Sequence, residues 1–259
     1  LDKDILLDFC PISQQFDYQI NDPAAATNAG YVKGLQAWRS KFDGDISIYS
    51  YYRKYAWDSM PNLIPHYMQK DLQFYATIPT QGISTYAEPG DWFTYELNHY
   101  VLAKLAWNVN ADVDGIVGDF CKARYRNDAG VARSLLQALE STVGKYCAIP
   151  NSSLKSADEI AAALDRFKKV NDAVQIAAST ETGATDYNLG RLVLLGEYAR
   201  QDLEIQLARA RKAAPDQIQK MIQDLHDWLE KNKDQGTILM RDQRLSLKSL
   251  QRRYAKGAE

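Results

Sequence analysis

Three short β-rich runs, each followed by a turn and an amphipathic helix, occupy the first 108 residues, and after Trp107 no further β-rich run appears. Asp4-Ile5-Leu6-Leu7-Asp8-Phe9 is strand-like and stops at Pro11; past Pro23, helical spacing puts Tyr31, Leu35, Trp38 and Phe42 on one face. Asp43-Gly44 punctuates. Asp45 to Tyr52 then alternates with period two, and a helix starting near Pro61 aligns Ile64, Met68, Leu72 and Tyr75. Gly82 to Glu88 is the third run, closed by Pro89-Gly90, with Asp91 placed to cap a helix carrying Phe93, Leu97, Tyr100 and Leu105. Strands separated by helices read as parallel βαβ units. The expected fold class is α/β: C-terminal βα units of a (β/α)8 TIM-like barrel, incomplete because three units are present, followed by a mostly α-helical region. An open Rossmann-like sheet is the competitor, weakened because no G-x-G-x-x-G or P-loop pattern follows a strand.

The rest reads as helices: Asp114 to Tyr125, Ala129 to Tyr146, a helix opened by the capping box Ser156-x-x-Glu159, then about Asp186 to Lys212 and Pro215 to Lys233. The domain division expected is 1–108 and 109–259, with a sub-boundary near 150 at Pro150-Asn151-Ser152-Ser153. Arg241, Arg244, Lys248, Arg252, Arg253 and Lys256 form a basic end with Leu247, Leu250 and Tyr254 at helical spacing, read as a solvated helix face.

An apolar fraction of 46% in 259 residues supports a real core, and a net charge of −2 offers no cationic field for nucleic acid. No apolar run approaches the ~20 residues of a membrane span. The first residues lack the basic and apolar regions of a signal peptide, and a start at Leu1 reads as a trimmed or processed product with something upstream. Cys10, Cys121 and Cys147 fit neither a disulfide framework nor paired zinc ligands and read as buried thiols; His66, His99 and His226 have no metal spacing, so neither metal nor cofactor is expected.

Alternation assigns Ile5, Leu7, Phe9, Ile46, Ile48, Ile83, Thr85 and Ala87 to the strand faces turned toward helices. The opposite face carries Leu6, Asp8 and Cys10, then Ser47, Tyr49 and Tyr51, then Ser84, Tyr86 and Glu88, its polar and aromatic members gathered at the C-terminal strand ends where barrel enzymes keep their sites. Paired carboxylates with aromatic platforms suit sugar chemistry, so Glu88 and Asp8 are the candidate catalytic residues and Tyr49, Tyr51, Tyr86, Trp92 and Arg53 the candidate substrate-binding ones. Flanking one strand, the two backbones would lie about 9–10 Å apart, which leaves retention and inversion both open. The plainer reading of each carboxylate is a helix cap, an arginine partner or a solvated charge. For Trp92 and Trp57 it is loop packing, and Arg53 would pair with an acidic sugar group or a neighbouring carboxylate.

The run Trp92 to Asn108, with Asp112-Val113-Asp114 and Asp119-Phe120-Cys121, and the strand Ile46 to Tyr52 after Leu35-Gln36-Ala37-Trp38, resembles a bacterial domain-of-unknown-function family of glycoside-hydrolase-like proteins, similar in fold to α-glucuronidases and hexosaminidases. The resemblance covers Leu1 to about Tyr146. It implies a carbohydrate ligand, an upstream part of the same barrel, and a periplasmic or secreted location. The family commonly places Gly after the tyrosine equivalent to Tyr125, where this chain has Arg126.

Three functions follow as expectations: part of a glycosidase-like protein acting on bacterial, plant or host polysaccharide and inactive alone; a non-catalytic carbohydrate-binding protein; or a helical interaction module. Exposed edges of a three-stranded sheet predict self-association.

Overall fold

In the computed structural model, which describes residues 2–150, 154–180, 184–240 and 245–255 (184–186 by backbone only), the alternation of the first third places one sheet face in a core. Leu7, Phe9, Ile46, Ile48 and Ile83 pack with Ile20, Leu35, Phe42 and Tyr75. These residues come from β1 (Leu7–Phe9), β2 (Ile46–Ser50) and β3 (Gly82–Thr85), and from the helices between them, α1 (Ala26–Arg39) and α2 (Pro65–Tyr75), with the loops around them. The strands are parallel in the order β1-β2-β3, with Asp8 opposite Ser47 and Tyr49 opposite Ser84. All four residues aligned along α2, Ile64, Met68, Leu72 and Tyr75, are buried; Trp38 and Ile5, expected inside, are 42% and 48% exposed.

The TIM-like barrel is overturned. The strands are three, five and four residues long, β1 and β3 each pair on one side, and 65% of the structure is helical, so the fold is α-rich with one small parallel sheet. Period-two alternation reports only that a strand has one buried face; it does not count strands or close a sheet. The face expected to point into a barrel is open: Asp8 and Ser84 are exposed, and Ser47 and Tyr49 half-buried.

Two compact units divide the chain. The first comprises Leu1–Lys54, Ile64–Ala87 and Leu97–Val117. It holds the sheet, α1, α2 and the C-terminal part of α3 (Trp92–Trp107). Asp71, fully buried on α2, accepts from the Ile20 backbone N–H (2.6 Å) and the Gln14 side-chain amide (2.5 Å). That holds Ile20 in the core. Asn98, also buried, donates to the Tyr52 carbonyl (2.9 Å) and accepts from the Ile64 N–H (3.1 Å), joining the points where residues 55–63 leave and re-enter this unit.

The second unit comprises Tyr55–Leu63, Glu88–Glu96 and Gly118–Glu259. Here α5 (Ala129–Tyr146), α6 (Ala157–Thr180) and α7 (Ala184–Ala210) pack together, α8 (Pro215–Asn232) packs on α7, and α9 (Leu247–Ala255) on α8. The expected capping box opens α6: Glu159 N–H donates to Ser156 Oγ (3.3 Å) and Ser156 N–H to the Glu159 carboxylate (3.2 Å). Ser59 Oγ donates to Asp91 (2.9 Å) and accepts from the Leu239 N–H (2.9 Å); Thr94 Oγ1 donates to the Thr237 carbonyl (2.6 Å). The basic end is not a uniform solvated face. Lys248 and Arg252 are exposed, but Arg253 is mostly buried and ion-paired with Asp58 (2.5 Å), because the helix face carrying Leu250 and Tyr254 turns inward. Arg241, Arg244 and Lys256 lie outside the described residues, as do Leu1 and Asn151 to Ser153.

Two predictions follow from this packing. Arg126 lies at φ 50°, the left-handed region where a Cβ is strained. Arg126→Gly should therefore raise stability by about 1 kcal/mol in urea unfolding. Burial pushes the Asp71 carboxyl up to about 7, against the lowering by its two donors. A carboxyl that holds its proton more tightly when folded adds stability at low pH and loses it as pH rises through about 7. The stability of Asp71→Asn relative to the natural chain should thus climb by roughly 1–3 kcal/mol between about pH 5 and 8.

Candidate functional site

On a strand, residues two apart share a face, and the open face of the sheet collects its polar and aromatic residues accordingly. Asp8 and Ser47 are register partners, and Ser47 Oγ donates to the Asp8 carboxylate. One step along β2, the Tyr49 ring meets that of Tyr51, just past the strand end, edge to face at 5.3 Å. Burial raises the Tyr51 hydroxyl, with further contributions from Cys10, Tyr49 and Tyr31. Asp8, Cys10, Ser47, Tyr49, Tyr51 and Tyr31 therefore form one neighbourhood at the C-terminal ends of β1 and β2. Tyr31 was assigned to the apolar face of α1. Nothing in helical spacing separates a core tyrosine from one whose hydroxyl reaches out, here to accept from the Ser13 N–H at 3.0 Å.

Arg53 is 1% exposed and lies over the Tyr86 ring, 5.0 Å from its centroid. A guanidinium stacked this way holds its charge against an aromatic face while shielded from water. His99 feels it: burial first and then Arg53 lower that imidazole below its ordinary value, favouring the neutral ring. Glu88 and Trp92 belong to the second unit, where Trp92 is 46% exposed. Trp57, also of the second unit, is buried against Tyr95 with ring centroids 5.8 Å apart, the loop-packing role.

A cavity of about 430 Å³ sits at the other end of the strands, lined by Arg39, Asp43 to Ile46 and Pro79 to Gln81. Arg39 is committed there to backbone, donating to the carbonyls of Pro79 (3.2 Å), Phe42 and Gly44 (3.0 Å). Its guanidinium fastens the loops that precede β2 and β3. Among the described residues no three His, Cys, Asp or Glu side chains gather as metal ligands.

Cys10 departs from the expectation of three buried thiols: it is exposed, whereas Cys121 and Cys147 are buried. Burial and the neighbouring Asp8 charge raise its pKa, so little thiolate forms near neutrality. A disulfide-exchange reagent should therefore titrate one thiol per folded chain and three after denaturation. The accessible thiol should react several-fold slower at pH 8 than a free cysteine and faster in Asp8→Asn. Equal rates for Asp8→Asn and the natural chain would contradict the coupling.

Residues 1–136 match the model of a family described as Domain of unknown function (DUF4838). No curated protein and no solved structure matches the chain. Among the described residues no helix is long and apolar enough to cross a membrane.

Proposed function

The chain belongs to the DUF4838 family, and from that premise we propose that the open sheet face of the first unit binds carbohydrate. The observation that carries the reading is the Tyr49–Tyr51 ring pair, half-buried beside Ser47 and the exposed Asp8 on the sheet face opposite the core. Sugar rings present C–H faces that pack on aromatic rings and hydroxyls that seek carboxylate and hydroxyl partners. This face offers both within one strand repeat. The resemblance to glycoside-hydrolase-like proteins favours the same ligand class.

Binding rather than hydrolysis is the better supported form. A glycosidase needs two carboxyl groups roughly 5–10 Å apart, one to protonate the leaving oxygen and one to act as nucleophile or base. Beside the tyrosine pair, Asp8 supplies one exposed carboxylate. The proposal therefore rests on Tyr49, Tyr51, Asp8 and Ser47 alone.

Calorimetric titration against a panel of plant, host and bacterial oligosaccharides tests it. At least one glycan should bind saturably, with affinity falling about tenfold in Tyr49→Ala or Tyr51→Ala and no reducing sugar released. Affinity indifferent to both substitutions would refute the tyrosine shelf. Sugar release would replace binding with catalysis.

A further inference from the structure

The second unit holds two arginines on one ring. Arg124, near the C-terminus of α4 (Val113–Tyr125), and Arg191, on α7, place their guanidinium carbons 5.5 and 5.3 Å from the centroid of Phe93. Arg191 also lies 4.1 Å from the ring centroid of Tyr187, a residue 58% exposed. One carboxylate serves the pair: Glu96 bonds Arg124 at 2.7 Å and feels the charge of Arg191 as well. Among the described residues, two guanidinium groups thus share the Glu96 carboxylate beside an apolar wall.

Hydrogen-bond supply points the same way. The Nε–H of Arg124 and that of Arg191 are both buried and have no acceptor among the described residues. A buried donor without an acceptor is costly, and two on one ring are rarely left so. Gly236, at φ +72°, brings its backbone against Arg191: a Cβ there would stand 3.3 Å from Nη2. The Phe93 N–H donates to the Gly236 carbonyl at 3.0 Å, fixing that approach. The side chain of Arg124 is 33% exposed, so the place is open to solvent.

We propose that Arg124 and Arg191, with Phe93 and Tyr187, form a binding site for a small organic oxyanion, a carboxylate or phosphate group carried on a flat or apolar body. The Nε and Nη edges of a guanidinium match the two oxygens of such a group bidentately, and the exposed Tyr187 ring supplies a face for the body. Glu96 acts as a positioning residue, holding Arg124. All these residues lie in the second unit, so the site is independent of the tyrosine shelf on the first.

The test is calorimetric titration of the whole chain with benzoate and, separately, with inorganic phosphate, at ionic strength held constant with chloride. Saturable binding of benzoate, phosphate or both is expected, the responding anion identifying the oxyanion the site takes. It should weaken roughly tenfold or more in Arg191→Gln and stay unchanged in Arg252→Gln, on the exposed face of α9. If Arg191→Gln does not fold, Arg191→Lys, which keeps the charge and loses the fork, should still weaken binding several-fold. Absence of saturation by either anion up to about 20 mM, or affinity indifferent to the change at Arg191, would overturn the site.

Discussion

A carboxylate taken out of water has to be given donors, and in this protein the donors come from backbone and side chains far away in sequence. Asp71 binds the Ile20 N–H and the Gln14 amide, fixing a loop that has no regular structure of its own and delivering Ile20 to the core with Ile46 and Ile48. Asp202 does the same in the second unit. Fully buried on α7, it accepts from the Ala148 N–H (2.9 Å) and the Tyr254 hydroxyl (2.6 Å), tying the residues after α5 to α9. Each unit depends on a group whose burial is unfavourable alone and whose partners become obligatory because of it.

The local elements were readable because they rest on apolar periodicity. The faces of α2 and of the three strands follow from spacing, and the bounds of α5 follow from its apolar run ending at Tyr146. The capping box was legible because its chemistry lies within four consecutive residues. The architecture was not. Three strand and helix alternations resemble part of a barrel in pattern, but strand length and the number of pairing partners are settled by contacts that periodicity does not encode.

The candidate site was half legible. Asp8, Ser47, Tyr49 and Tyr51 share the open face because alternation alone puts them there. Arg53, expected to partner an acidic sugar group or a neighbouring carboxylate, is buried over Tyr86. A guanidinium in a sequence carries no mark of whether a ring will cover it. The same blindness hid Asp71, Asp202 and Arg253, charged residues that pattern assigns to the surface by default. Arg124 and Arg191 were invisible for a further reason: they stand 67 positions apart (191 minus 124), and only the packing of helices brings both to Phe93.

The pairing of Asp58 with Arg253 spans 195 residues, and Tyr198 lies between them in the chain while bonded to both, its hydroxyl donating to the Asp58 carbonyl and accepting from Arg253. A contact of that sequence separation cannot form until residue 253 has been made and has emerged. On the ribosome, the Asp58 carboxylate must wait for Arg253 until residue 253 has emerged, although the sheet of the first unit could already have closed. Contacts this remote also slow folding, since loop closure is paid for before they contribute. Within the second unit the Asp58–Arg253 pair therefore closes late, and the interval before α9 arrives is when a chaperone or a protease would find the Asp58 carboxylate without Arg253.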